Sequence, residues 1–137
     1  MTVDEALEFV AAHHRAVIAT RRGSDGEPSL TPVTVGVDGL GHVIISTRET
    51  SMKVKHLRHE PRVWLCVMND GFFGDWVQIE GSVEIIELPA AMELLVDYYR
   101  RISGEHPDWD DYRLAMERDQ RVILRLTPDR VGPTVQG

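Results

Sequence analysis

Short runs rich in Val, Ile, Thr and aromatic residues alternate with Asp-Gly pairs along the middle of the chain. The pairs are Asp25-Gly26, Asp38-Gly39 and Asp70-Gly71. Glycine suits tight strand connections because it accepts a positive φ. The middle of the chain is therefore predicted to be a β-meander. The predicted strands are residues 14–21, 28–37, 42–47, 62–69, 74–87 and, last, 121–126.

Apolar residues at helical spacing, together with prolines and glycines at the ends, predict four helices. They are residues 3–13, residues 51–59, a third from about Pro89 to Gly104, and a short fourth after Pro107. The second helix must end near Pro61, because the residue before a proline disfavours the α region. The helices are short and flank the predicted strands.

Six strands joined mostly as hairpins, with four short helices, exclude a doubly wound parallel sheet, which alternates strand and helix throughout. The pattern favours a mainly β fold with short helices, a small antiparallel barrel, as a single domain over residues 1–137. The segment 62–69 is apolar on both faces. One face can fill a barrel interior, so the second must lie under a helix or against another subunit.

The overall charge of the chain limits its partners. It has 137 residues, with 15 Lys and Arg against 22 Asp and Glu, for a net charge of −7. This balance argues against a nucleic-acid binder, whose affinity comes mainly from basic side chains.

The sequence also bears on cellular location. Cys66 has no partner for a disulfide, and the start MTVDEALEF does not resemble a leader, so we expect a cytoplasmic location. The apolar runs are far shorter than the roughly 20 residues of a membrane span.

Familiar catalytic and metal motifs are absent from the sequence. It contains no GxGxxG after a strand, no GxxxxGK[ST], no CxxC and no Gly-x-Ser-x-Gly. The six histidines lack the spacing of a ligand set, so no metal site is predicted. Cys66 lies within an apolar run, which favours packing over nucleophilic chemistry. No catalytic side chain can be named from the sequence.

One segment has the features of an anion site. Residues 48–62 carry five basic and two acidic side chains, a local charge of +3 in an acidic chain. Here a strand leads through Ser51, whose side chain is expected to cap the next helix, into a helix that begins near Met52 and carries Lys53 and Lys55. Free amides and the positive end of a helix dipole attract anions, whereas basic side chains there oppose the dipole. An anion site and a solvated basic helix both remain open on spacing alone.

Two longer motifs resemble a known family. The stretch STRETSMKVKHLRHEPRV (46–63), after the hairpin GEPSLTPV (26–33), resembles the pyridoxamine 5′-phosphate oxidase-like split β-barrel family. The tail SGEHPDWDDYR (103–113) resembles the actinobacterial branch that uses the deazaflavin coenzyme F420. The resemblance implies an FMN-binding split-barrel fold and a homodimer with cofactor sites at the subunit interface.

The resemblance also implies roles for residues near the predicted helix terminus. Lys53 matches the lysine that meets the cofactor phosphate, with Ser51 and the amides of Met52 and Lys53 beside it. Lys55 is a candidate for the acidic tail of coenzyme F420. His56 stands where the family commonly has Asn, which changes the side-chain hydrogen bonds available at that position.

Other matched residues concern the rest of the cofactor. Ser46 and Thr47 end the strand under the ribityl chain. The strand edge against the ring system matches Ser29, Thr31 and Pro32, although Pro32 replaces a frequent polar residue. Trp76 is a candidate ring contact, either within one subunit or across the dimer, and is equally well interpreted as a core or interface aromatic.

The implied reaction is hydride transfer from the reduced deazaflavin to a small electron-poor organic acceptor, with the cofactor supplying the chemistry. The family's C-terminal Trp and Arg, which contact pyridoxal phosphate, are missing after Arg121, so vitamin B6 oxidation is not expected. Three alternatives remain: an FMN-dependent oxidoreductase of the same fold, a non-catalytic protein that binds F420 or a flavin, and a ligand-free dimeric scaffold.

Overall fold

Six antiparallel strands close into a barrel in the computed structural model, which describes residues 1–136. The strands are β1 (Arg15–Arg21), β2 (Pro28–Val37), β3 (Val43–Arg48), β4 (Arg62–Met68), β5 (Asp75–Ile86) and β6 (Arg121–Gln136). The helices are α1 (Val3–Ala12), α2 (Met52–His59), α3 (Ala91–Ser103) and α4 (Trp109–Arg118). The order around the barrel is β1-β2-β3-β6-β5-β4. The mainly β barrel predicted from the sequence is confirmed, and no described helix has the length and apolar character needed to cross a membrane.

The last strand is longer than predicted. The sequence predicted a last strand over residues 121–126 only. In the structure β6 runs from Arg121 to Gln136 and pairs with β3 and then with β5. Its pairing with β5 shifts register near Gly81, which lies opposite Pro128. Such an irregularity accommodates a residue that has no amide hydrogen to donate.

The barrel interior is apolar and closely packed. Inward-facing residues of every strand form one cluster, to which α1 and α2 add side chains such as Val10 and Leu57. At Gly81 the strands approach so closely that a Cβ would lie 2.1 Å from the carbonyl oxygen of Thr127. Glycine is therefore required where β5 and β6 shift register.

Helices α3 and α4 cover one part of the outside of the barrel. Ile44 of β3 and Ile123 of β6 face outward and are buried beneath Leu95 and Val96 of α3 and Tyr112 of α4. Together with Ala91 of α3, these residues form a second core, which we call the outer core. It fixes the two helices against β3 and β6.

The outer face of β1, β4 and the adjoining part of β2 lacks such a cover. Trp64 and Cys66 of β4 are half-buried, and Leu30 of β2 is 65% exposed. Together with Val17 and Ala19 they line a shallow depression of about 180 Å³. We call this surface the open face. The sequence predicted that either a helix or another subunit covers the second apolar face of β4. Within residues 1–136 no helix lies over this face.

Candidate functional site

A large cavity lies where β2 and β3 separate. The two strands pair only from Val35 opposite Ile45 to Val37 opposite Val43. Beyond that point β2 pairs with β1 alone, while Ser46 and Thr47 of β3 pair with β6. The resulting opening is a cavity of about 950 Å³. Barrel strands form its sides, α3 and α4 form its roof, and the start of α2 reaches it through Lys53.

Tyr98 of α3 joins the two separated strands. Its hydroxyl donates a hydrogen bond to the carbonyl oxygen of Thr34 on β2, at 2.9 Å, and lies beside the backbone of Ser46 on β3. Burial raises the pKa of Tyr98, and the Ser46 backbone opposes this rise. The hydroxyl therefore stays protonated at neutral pH and can donate to a strand carbonyl that lacks a partner from the next strand.

The rest of the roof depends on the motif 103–113. His106 and Trp109 pack against Tyr99 of α3 and Tyr112 of α4, with ring centroids 5.0–5.8 Å apart. The Tyr112 hydroxyl donates to the carbonyl oxygen of Leu95 at 2.7 Å, and burial raises the pKa of Tyr112 to about 12. The motif thus builds the helix pair that places Tyr99 and Tyr112 on the cavity.

Lys53 brings a positive charge to the cavity without a counter-ion. It lies in the first turn of α2, which contains no acidic side chain. Among the described residues, no carboxylate lies within 4.0 Å of its ammonium nitrogen. Burial lowers the pKa of Lys53, and the positive charge of Arg121 lowers it further. A bound anion would favour the charged form of Lys53 and so oppose both of these effects on its pKa. The residues present therefore fit a negatively charged group.

Ser51 occupies the N-cap position of α2, but its side chain does not make the capping hydrogen bond that the sequence predicted. Its hydroxyl instead accepts a hydrogen bond from the Thr47 hydroxyl at 3.3 Å. The first backbone bond of the helix runs from the Lys55 amide to the Ser51 carbonyl oxygen, at 3.4 Å. The amides of Met52 and Lys53 precede that bond, so they are free of helical partners and can donate to a ligand.

The structure brings together some of the residues singled out from the sequence and separates others. Cavity-lining residues among them are Pro32, Ser46, Thr47 and Lys53. Ser51 adjoins the cavity through its bond to Thr47, whereas Met52, which is 59% exposed, and Lys55 point to solvent. Because side chains alternate along a strand, Ser29 and Thr31 lie on the face of β2 opposite to Pro32. Trp76 pairs with Met68, itself a lining residue, and so lies one strand away from the cavity.

His56 holds α2 against the barrel. It is buried, and its Nδ1 lies 2.9 Å from the hydroxyl oxygen of Thr20 on β1. His56, which stands where the family commonly has Asn, thus directs its Nδ1 to the barrel. His56 therefore fixes the helix from which Lys53 projects, rather than lining the cavity itself.

Sequence reasoning missed several lining residues, above all Arg121. This residue begins β6, opposite Arg48 at the end of β3. Its Nε is buried and has no hydrogen-bond partner among the described residues. Only the β3–β6 pairing brings Arg121 next to the start of α2, so nothing near it in sequence pointed to the cavity. Of the roof tyrosines, Tyr112 lies within the motif 103–113 that the sequence analysis singled out.

Proteins of known structure share this fold. A conserved hypothetical protein from Mycobacterium tuberculosis is 29% identical, with a TM-score of 0.75 over 96% of this chain and 82% of that chain. An F420 reductase is 20% identical, with a TM-score of 0.65 over 87% of this chain and 89% of that chain. A heme-binding protein from Mycobacterium smegmatis is 18% identical, with a TM-score of 0.73 over 100% of this chain and 55% of that chain. The last two likenesses show the fold alone.

A match to a family profile covers nearly the whole chain and assigns it to a family. The profile described as pyridoxamine 5′-phosphate oxidase matches residues 2–134. The match includes the whole of α1 to α4, the cavity and both motifs. The closed antiparallel barrel agrees with the split barrel expected from the sequence. The chain belongs to the pyridoxamine 5′-phosphate oxidase family.

Proposed function

We propose that this protein is an oxidoreductase that binds reduced coenzyme F420 and transfers a hydride to a small electron-poor organic acceptor. The observation that carries the proposal is Lys53, a half-buried cation in the cavity with no carboxylate beside it in the described chain. The resemblance of residues 103–113 to the deazaflavin-using branch supports F420, as does the fold shared with an F420 reductase.

The cavity offers different chemistry at its two ends. At the start of α2, the Lys53 ammonium, the nearby amides and the hydroxyls of Ser46 and Thr47 suit a phosphate and a ribityl chain. Toward β2, the strand edge at Pro32 suits a flat ring system, and Tyr99 and Tyr112 add aromatic surface to the roof of the cavity. The arrangement matches a long molecule with an anionic end and a planar end.

The bound deazaflavin would supply the hydride itself. The protein residues would orient the ring and exclude water, with Tyr98 keeping the strand edges at a fixed separation. Hydride transfer from a bound cofactor needs no nucleophile from the protein. This agrees with a mechanism in which binding and orientation are the main contributions of the protein.

We propose further that the chain, a single split-barrel domain, functions as a homodimer. Its open face is apolar, and an apolar strand surface of this kind is typically covered by a partner. A second copy on this face would place its own residues beside the mouth of the cavity, because Val17 lines both surfaces. Trp76 is then a candidate contact across the interface.

Anaerobic titration and turnover test the proposal. Reduced and oxidised F420, FMN and phosphate-free riboflavin are titrated by fluorescence, and reduced F420 is then mixed with a panel of nitro, enone and quinone acceptors. The proposal requires tight F420 binding and catalysed oxidation of the reduced form. Tighter FMN binding with flavin turnover would assign the site to FMN, and F420 binding without turnover would indicate a binding protein.

Removal of the Lys53 ammonium should weaken cofactor binding strongly. Lys53→Ala deletes a charge-assisted contact worth about 1.5–3 kcal/mol, so F420 affinity should fall roughly 10- to 150-fold. Arg118→Gln, an exposed substitution on α4, serves as the control for a lost positive charge. Unchanged affinity in a folded Lys53→Ala protein would mean that α2 is a solvated basic helix and that Lys53 does not bind the cofactor.

A further inference from the structure

Two neighbouring phenylalanines are exposed in the loop that joins β4 to β5. We call this loop, residues 69–74, the aromatic loop. Phe72 and Phe73 both face solvent, and their rings pack edge to face with centroids 4.9 Å apart. Single exposed apolar residues are common, but large apolar side chains that lie together at the surface are typical of places where a ligand or partner binds. The pair is therefore a candidate binding surface.

The aromatic loop is short and held from within by Asn69. The Asn69 amide donates to the Asp75 carbonyl oxygen at 3.1 Å, which closes the hairpin. The Asn69 side chain accepts from the Gly71 amide at 2.9 Å. At position 74 a Cβ would overlap the side-chain nitrogen of Asn69, so glycine is required there. The two phenylalanines thus extend from a compact turn of defined shape.

Phe72 has a backbone conformation that L-amino acids seldom adopt. Its φ is +64°, in the left-handed region, which glycine and asparagine tolerate better than a large aromatic residue does. The residue lowers stability in two ways, because its backbone is strained and its ring is exposed to water. Strained positions of this kind cluster at sites that contact ligands. A contact between Phe72 and a ligand would account for its presence.

The aromatic loop adjoins the main cavity. Met68, the last residue of β4, pairs with Arg15 of β1, and both residues line the cavity. The loop begins directly after Met68, and the carboxylate of Asp70 lies 3.4 Å from the Arg15 guanidinium. In the strand order β3-β2-β1-β4, this end of the cavity is three strands from β3, which leads into α2 and Lys53. The exposed rings therefore continue the cavity at the end away from Lys53.

We propose that Phe72 and Phe73 form the outer wall of an acceptor subsite, and that the protein prefers acceptors which carry an apolar ring beside the reducible group. This inference rests on the proposed function, in which the cofactor extends from Lys53 toward β2. An acceptor that meets the ring of such a cofactor leaves its own substituents at the end of the cavity next to the aromatic loop. There the two phenylalanines offer edge and face contacts to a flat ring. Both are specificity-determining residues in this arrangement.

A neutral apolar probe tests the subsite without turnover. Phenylnaphthylamine fluoresces strongly once its rings leave water, so its titration reports on an apolar binding surface. The double variant Phe72→Asn, Phe73→Ser should bind the probe at least about 10-fold more weakly than the wild type, since the loss of a contacting aromatic side chain usually has a large effect. Leu40→Asn is the matched control, because Leu40 is an exposed apolar residue of the β2–β3 turn, outside the described lining of the cavity. It should bind the probe as the wild type does.

Stability separates a binding role from a structural one. Phe72→Asn relieves the left-handed strain and removes an exposed apolar ring, so its melting temperature should equal or exceed that of the wild type. Probe binding should weaken in the same variant. A lower melting temperature would mean that Phe72 supports the fold, and it would contradict the proposal.

Turnover with a matched pair of enones measures the specificity. Benzylideneacetone carries a phenyl ring on the double bond, where ethylideneacetone carries a methyl group. With reduced F420, the double variant should lose roughly 10-fold more kcat/KM toward the phenyl enone than toward the methyl enone. Leu40→Asn should keep the wild-type ratio.

The possible outcomes are distinct. Wild-type probe binding and a wild-type enone ratio in the double variant would overturn the proposal. So would loss of a wild-type dimer in the double variant, which would make the aromatic loop part of the subunit interface. Sedimentation of the wild type, but not of the variant, with phosphatidylcholine vesicles would assign the loop to a lipid surface and overturn it as well.

Two further results are separable from these. If the double variant fails to fold, Phe73→Ser alone decides by the same titration. Should the wild type fail to oxidise reduced F420 with any acceptor, the proposed function fails, while the probe titration still decides whether the aromatic loop binds an apolar ring.

Discussion

The two halves of the outer barrel surface differ in what covers them. On β3 and β6, the outward side chains Ile44 and Ile123 are 2% and 0% exposed, because α3 and α4 lie over them. On β1 and β4, the outward side chains Val17, Trp64 and Cys66 remain half-buried. Both surfaces are apolar in sequence. The difference therefore comes from where the chain places its helices and not from the strands themselves.

This contrast explains the position of the cavity. The cavity lies at the border between the covered and the open half, where β2 leaves β3. The outer core supplies a rigid roof on one side, and the open face leaves the other side available to a partner. A site at such a border can combine residues fixed within one chain with residues from a second.

The covered half should be the more sensitive to truncation. Leu95→Ala removes a fully buried side chain of the outer core and should lower the free energy of unfolding by about 2–5 kcal/mol. Leu114→Ala, on α4 and 64% exposed, should change it by less than about 0.5 kcal/mol. Urea denaturation measures both. Equal losses would mean that α3 and α4 do not form a rigid cover.

The open half should be sensitive to charge instead. In a homodimer burying more than about 1,000 Å² in total, Cys66→Arg would place an unpaired charge in the interface and should raise the dimer dissociation constant by at least about 100-fold. Cys66→Ser is the matched control and should leave a dimer. Sedimentation velocity reads out both variants. A wild-type monomer at micromolar concentration would show that the open face is not a dimer interface.

A smaller effect should come from the hydroxyl that fastens α4 to α3. Tyr112→Phe loses the bond to the Leu95 carbonyl oxygen and should cost about 1 kcal/mol at pH 7. Because the pKa of Tyr112 is raised to about 12, its stabilising effect is complete below pH 10 and is lost as the pH rises toward 12. Urea denaturation from pH 7 to 11.5 should therefore show the two proteins converging. Parallel curves would contradict this account of the hydroxyl.

Most of the barrel could be predicted from the sequence because its signals are local. Asp-Gly turns and β-branched runs located five strands nearly to their ends, and periodicity with proline and glycine located the helices. The length of β6 could not be predicted, since the register shift at Gly81 that accommodates Pro128 exists only in the pairing with β5. Proline in a run normally argues against a strand, and here tertiary context overrides it.

Only the part of the site whose residues lie close together in the sequence could be predicted. Ser46, Thr47 and Lys53 lie within eight positions of each other, on one strand-turn-helix segment, and all three line the cavity. Arg121 comes to the same cavity from the far end of the sequence through the β3–β6 pairing. The same limit applies to Ser51: its residue type favours a capping side chain, but in the folded chain this side chain accepts from the Thr47 hydroxyl and from no amide of α2.

The placement of β6 between β3 and β5 also determines when the barrel can form during folding. Val43 pairs with Leu126, so closure requires two distant parts of the chain to meet, at a large loop-closure entropy. Lys53 and Arg121 become neighbours only when β6 pairs with β3, so the cavity that a ligand would bind does not exist before the barrel closes. A bound cofactor should then slow unfolding while leaving the folding rate unchanged.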